Sequence, residues 1–244
     1  MTLHPGAVAE RWPDRTAAIF GDHRLSYRDL DQFSLGVAAM LHGSGLGQGD
    51  VVAMLIGNRP EFFGIAWAAQ RSGLYYLPIP TRLTAPEIAY MLKDSGAKAI
   101  FADPANLPFA RAAAKGLAIA LHGIDPPAGT YPDAPAIEGG DMLYTSGTTG
   151  KPKGVRRPLS GVPLGSDASR VERGKTLFGI DSESIFLSPA PLYHAAPLRF
   201  TMNLLRVGGT VVGMSRFDAA QALATIAEHH VTHSQWVPTM FSRL

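Results

Sequence analysis

Short apolar runs alternate with amphipathic segments of helical length along most of the chain. That is the pattern left in a sequence by mostly parallel sheets flanked by helices, an α/β fold. Residues 16–20 and 23–26, split by Gly21-Asp22, read as a small hairpin. Ser26-Tyr27-Arg28-Asp29 sets a hydroxyl and a carboxylate three residues apart, a capping box that opens a helix running to about His42. Leu30, Phe33, Val37 and Leu41 recur on one face of that helix, and Gly43 is placed to end it. The uninterrupted apolar run 51–56 predicts a buried strand. A helix over 60–72, a strand over 75–79, a helix over 84–95 capped by Thr84 ahead of Glu87, and a strand over 98–102 follow.

Residues 104–139 hold Pro104, Pro108, Pro126, Pro127, Pro132 and Pro135, so a short helix and strand are expected there, then an irregular connector to a strand at 141–144. The polar, glycine-containing stretch 161–173 reads as a mobile surface excursion. Strands are expected again at 184–188, 210–213 and 232–236. Helices are expected at 195–206 and at 218–229, the latter capped by Asp218, and Pro238 sits where a further helix begins.

Composition narrows the function classes. A 46% hydrophobic, 17% charged chain of net charge +2 has an ordinary globular balance, and its scattered lysines and arginines imply no nucleic-acid partner. Arg156-Arg157 is read as a solvated loop end. The chain has no cysteine, which excludes disulfides and thiolate metal sites. No charged-then-apolar leader opens the sequence and no apolar run reaches membrane-spanning length, so a cytoplasmic location without a transmembrane segment is expected.

The chemistry concentrates after the strand at 141–144, in Tyr144-Thr145-Ser146-Gly147-Thr148-Thr149-Gly150-Lys151-Pro152-Lys153-Gly154-Val155. Glycines let backbone N–H groups approach an anion, and hydroxyls and ammonium groups complete the shell, so this loop is suited to phosphate. It is not a Walker A loop, which needs glycine where Thr145 stands and Ser or Thr where Pro152 stands. The glycines of 43–49 likewise fail the dinucleotide fingerprint in either register.

From Tyr144 to Val155 the chain resembles the adenylate-forming acyl-CoA synthetases, with their relatives the peptide-synthetase adenylation domains and luciferases. Pro191-Leu192-Tyr193-His194 and Val237-Pro238-Thr239 resemble two further family segments. The resemblance implies the N-terminal part of that family's large α/β domain. About 1–180 would be a first subdomain carrying the phosphate loop and about 181–244 the start of a second. It also implies that the full-length protein uses ATP and Mg2+ to activate a carboxylic acid, fatty or otherwise hydrophobic, as an acyl adenylate, which is then transferred to coenzyme A.

On this resemblance Thr145, Ser146, Thr148 and Thr149 are hydroxyl donors to the ATP phosphates, and Gly147 and Gly150 are close-approach amides. Lys151 and Lys153 are the cations, Lys153 falling at the more constant position. His194 is the catalytic candidate beside the acyl pocket, where it either polarises the carboxylate or packs. Trp236, Met240 and Phe241 either line an acyl channel or belong to the core. His229, His230 and His233 lack a carboxylate or cysteine at ligand spacing, so no protein-held metal is expected.

Arg156-Arg157-Pro158-Leu159 departs from the Thr-His pair common in the family at that place. The family's later adenine, ribose and C-terminal lysine segments do not occur in the sequence, so the chain is expected to be inactive alone. It is also expected to expose apolar surface and to self-associate as a homo-oligomer. A noncatalytic acyl- or nucleotide-binding module, and an adenylation domain serving a carrier other than coenzyme A, remain the alternatives.

Overall fold

A computed structural model describes residues 3–125, 127, 129–131, 137–145 and 151–243. Along the chain run α1 (Pro5–Arg11), β1 (Thr16–Phe20), β2 (His23–Ser26), α2 (Tyr27–Gly43), β3 (Val51–Leu55), α3 (Glu61–Arg71) and β4 (Tyr75–Pro78). Then come α4 (Ala85–Ser95), β5 (Ala97–Ala102), α5 (Leu107–Ala114), β6 (Ala120–His122), β7 (Gly140–Thr145) and β8 (Lys153–Arg156). The last elements are α6 (Ser169–Phe178), β9 (Ile185–Ser188), α7 (Ala195–Val207), β10 (Thr210–Gly213), α8 (Ala219–Glu228), β11 (His233–Ser234) and α9 (Pro238–Phe241).

The chain forms two compact units, one from the residues up to Gln32, Asn58–Phe63 and the segment from Gly165 onward, the other from Phe33–Gly57 and Gly64–Leu164. In the second unit the strand order is β6-β5-β3-β4-β7-β8, every pairing parallel except β7 with β8. All residues of β3 and β4 are buried, because continuous apolar strands at the centre of a parallel sheet are covered on both faces. Val51, Leu55, Leu77, Ile88, Met91 and Ile100 belong to one core there. In the first unit the order is β11-β9-β10-β1-β2, with only the β1–β2 hairpin antiparallel, over a smaller core of Ile19, Leu187, Val212, Met214 and Ala222.

Local signals act as chemistry dictates. The Asp29 carboxylate accepts from the Ser26 amide at 3.0 Å while Ser26 Oγ accepts from the Asp29 amide at 3.1 Å, closing the box that opens α2. Thr84 and Glu87 repeat the device at α4, and the Asp218 side chain accepts from the Gln221 amide at α8. Glycine ends α2 two residues later than expected. Gly43 is still helical, and Gly45 takes φ 80° so that its amide reaches the His42 carbonyl and the next amide reaches that of Leu41.

Three further expectations are corrected. A division at about residue 180 follows chain order, but β1 crosses it by pairing with β10 through Ala18↔Val211. The excursion expected over 161–173 is irregular only to 168, after which α6 begins, a polar helix with Gly179 at its C-cap, φ 68°. The last strand is only His233–Ser234 rather than 232–236; at its start Thr232 Oγ1, rather than a backbone carbonyl, accepts from the Ile185 amide at 2.9 Å. The segments α1 and β8 add elements where periodicity predicted none.

Candidate functional site

Thr145 is the last residue of β7 and faces Lys153, the first of β8. Ser146, Gly147, Thr148, Thr149 and Gly150 lie outside the described residues. What is described is the stem that carries them. Helix α4 grips both strands of that stem. The Tyr144 hydroxyl donates to Asp94 Oδ2 at 2.6 Å, and the Tyr90 hydroxyl donates to the Pro152 carbonyl at 3.1 Å. Burial, and then the Asp94 carboxylate, push the Tyr144 pKa up, so the phenol stays a donor.

Lys151 Nζ lies 5.6 Å from the Tyr90 ring centroid, a cation on an aromatic face. Lys153 is exposed and shares the Thr145 face of the hairpin. Gly154 lies opposite Tyr144. A Cβ there would meet Met142 Cε at 2.6 Å and Tyr144 Cζ at 3.1 Å, so this motif glycine serves packing of the stem. Arg156 is exposed, as expected of a solvated residue, but ends strand β8 rather than a loop. Its guanidinium lies 4.3 Å over the Tyr75 ring and donates to the Gly49 carbonyl, while the Tyr75 hydroxyl donates to the Arg157 carbonyl at 2.6 Å.

His194, Trp236, Met240 and Phe241 belong to the other unit. His194 is the N-cap of α7, yet its ring makes no capping bond; it lies 4.6 Å from the Tyr193 ring, and partial desolvation holds its pKa below the ordinary histidine value. The structure brings Trp236 and Phe241 together, ring centroids 5.7 Å apart, and packs Trp236 against the Ile19–Val212 core. Phe241 remains 61% exposed, and Met240 is half-buried beside it in α9. His233 is engaged structurally, one ring nitrogen 2.8 Å from the Phe178 carbonyl and the other 2.7 Å from Thr232 Oγ1.

One residue escaped the sequence reading. Asn58 Nδ2 donates to the carbonyls of Ala190 at 3.0 Å and Met214 at 2.8 Å, and its Oδ1 accepts from the Leu192 amide at 2.8 Å. Its only local signal is an asparagine just past a strand, ahead of Arg59-Pro60, which reads as an ordinary turn. Nearby, Ser188 Oγ at the carboxyl end of β9 and Gln235 Oε1 just past β11 are buried without a hydrogen-bond partner among the described residues. Among the described residues no group of three or more acidic or histidine side chains is placed to hold a metal ion. None of the described helices is long and apolar enough to cross a membrane.

The motif therefore follows a parallel strand at its carboxyl end, in a two-unit α/β chain. Residues 7–244 match the AMP-binding enzyme family, and the chain belongs to that family. It is 30% identical over 240 residues to 2-succinylbenzoate–CoA ligase of Bacillus licheniformis, across 97% of this chain and 49% of that protein. To long-chain-fatty-acid–CoA ligase FadD13 of Mycobacterium tuberculosis it is 31% identical over 235 residues, across 91% of this chain and 46% of the other. Among solved structures, o-succinylbenzoate coenzyme A synthetase from Bacillus subtilis in complex with AMP matches with TM-score 0.83 and 26% identity, over 99% of this chain and 63% of that one. The chain spans about half the length of the curated relatives it matches.

Proposed function

We propose that this chain supplies the phosphate-holding and acid-facing portion of an enzyme that joins a hydrophobic carboxylic acid to coenzyme A at the expense of ATP. The observation that carries this reading is the complete run from Tyr144 to Val155 on a stem gripped by α4. In the first step the carboxylate oxygen attacks the α-phosphorus of ATP and the bond to pyrophosphate breaks. In the second, the thiol of coenzyme A attacks the acyl carbon and AMP leaves.

The demand on the protein in the first step is neutralisation of charge on the departing pyrophosphate. Thr145, Ser146, Thr148 and Thr149 supply hydroxyl donors, Gly147 and Gly150 supply amides, and Lys151 and Lys153 supply positive charge. Mg2+ bound with ATP would share that neutralisation. His194 faces the acid, and Trp236, Met240 and Phe241 supply apolar surface for its body. The two relatives named above act, by name, on 2-succinylbenzoate and on long-chain fatty acids, so the hydrophobic character proposed for the acid rests on Trp236, Met240 and Phe241 rather than on the relatives.

The test is ATP–pyrophosphate exchange by the full-length protein with a panel of aryl, alkyl and amino acids, followed by a thioester assay with coenzyme A. Exchange driven by an aryl or alkyl acid is expected. Exchange with amino acids alone would move the protein to the peptide-synthetase branch, and exchange with none would sink the proposal.

A further inference from the structure

Between β9 and α7 the chain reads Pro189-Ala190-Pro191-Leu192-Tyr193-His194. Proline has no N–H, so Pro189 and Pro191 cannot tie this segment down through their own amides. The His194 amide turns back to the Pro191 carbonyl at 3.1 Å, which shapes the segment but does not attach it to the sheet. The Asn58 side chain makes that attachment, to the carbonyl of Ala190 and the amide of Leu192. The same side chain holds the carbonyl of Met214, which follows β10.

Three bonds use both donors of the amide and one lone pair of its oxygen. No other side chain of this size fits. Aspartate would set an anionic oxygen against two carbonyls, and serine could serve one of them at most. The geometry points to Asn58 as a positioning residue, one that fixes the segment presenting His194 and thereby aligns the acid substrate. This rests on the proposed function for the identity of the substrate, but the placement of His194 by Asn58 does not.

The test compares Asn58→Ala, Asn58→Ser and Asn58→Asp in the full-length protein by pyrophosphate exchange, with the most active acid of the panel. The KM for the acid is expected to rise about tenfold in Asn58→Ala, while the KM for ATP stays within about twofold. Asn58→Ser should fall between this and wild type, and the isosteric Asn58→Asp should be worse than alanine. Equal rises in both KM values, or an unchanged acid KM, would overturn the inference. So would failure of all three variants to fold, since the role would then be structural alone.

A second readout is independent of turnover. The His194 ring signals in an NMR spectrum should shift in Asn58→Ser, and unchanged signals would overturn the inference whether or not an acid is found. Wild-type protein inert toward every acid, with the ring signals shifted, would overturn the functional proposal and leave the positioning role standing.

Discussion

The motif's stem, residues 144–145 with 151–157, and the segment 190–194 each lie at the carboxyl end of a parallel strand, and different chemistry holds them. The first segment is held redundantly: Tyr144 by Asp94, Pro152 by Tyr90, Arg157 by Tyr75, and Gly154 by close packing on Met142 and Tyr144. In the second, one side-chain amide, that of Asn58, bonds both Ala190 and Leu192, whose side chains are themselves buried. Redundant anchoring spreads the load, so the loss of one bond is tolerated. Where one amide makes both polar contacts, its loss removes them together.

The entry to β7 should be the most sensitive position in this comparison. A Cβ on Gly139 would lie 2.2 Å from the Leu74 carbonyl oxygen and 2.7 Å from that of Ala69, both backbone atoms unable to give way. Gly139→Ala is expected to cost about 3 kcal/mol in urea denaturation. A wild-type midpoint would show that the stem has slack that its contacts conceal.

Next comes Lys153→Ala, which leaves the stem intact and removes one cation from the loop. Adenylation by the full-length protein should slow about 10- to 100-fold, since a charge-assisted contact is worth ~1.5–3 kcal/mol. An unchanged exchange rate would mean that another group holds the pyrophosphate.

Tyr144→Phe sharpens the point about redundancy. It removes the bond to Asp94 and should cost only about 1 kcal/mol, because Tyr90 and Gly154 still hold the hairpin. Adding Tyr90→Phe should cost more than the two single effects combined. Strict additivity in the double-mutant cycle would mean that the anchors act independently.

A smaller effect follows from His122, at the edge of the second unit. Its ring lies 5.1 Å from that of Phe101, its Nε2 is buried without a partner among the described residues, and burial lowers its pKa. A base harder to protonate when folded binds more protons when unfolded, so stability is full above the unfolded pKa near 6.5 and falls as pH drops through it. His194, shifted the same way, adds to the loss. Thermal midpoints should therefore decline from about pH 7.5 to about pH 5.5, and less steeply in His122→Phe. An identical slope in that variant would assign the effect elsewhere.

The smallest change should be Ser188→Ala, which removes a buried hydroxyl that has no partner among the described residues and should alter stability by less than about 0.5 kcal/mol. A loss beyond 1 kcal/mol would reveal a bridging water.

Much of the scaffold was legible residue by residue. The box at Ser26 and Asp29, the cap at Thr84 and the apolar run at 51–56 each carry their structural reason within a few positions, so the elements they open or fill lie within a residue of where they were expected. The strand β8 did not announce itself, because Lys153-Gly154-Val155-Arg156 is exposed throughout and is a strand only by pairing with β7. Helix α6 was hidden by its polarity, since a helix without a broad apolar face leaves no periodic trace.

Membership in the AMP-binding family and the candidate loop were readable in the chain itself, because the groups suited to phosphate lie consecutively and need only a strand to stand on. Three things came from the folded molecule alone. The chain's first hairpin is joined to β10, Asn58 reaches a segment more than a hundred residues away, and the exposed Arg156 lays its guanidinium over Tyr75. Spacing along a chain encodes contacts within a turn or a strand. Contacts across a sheet depend on which strands become neighbours, and that is settled by burial of the whole.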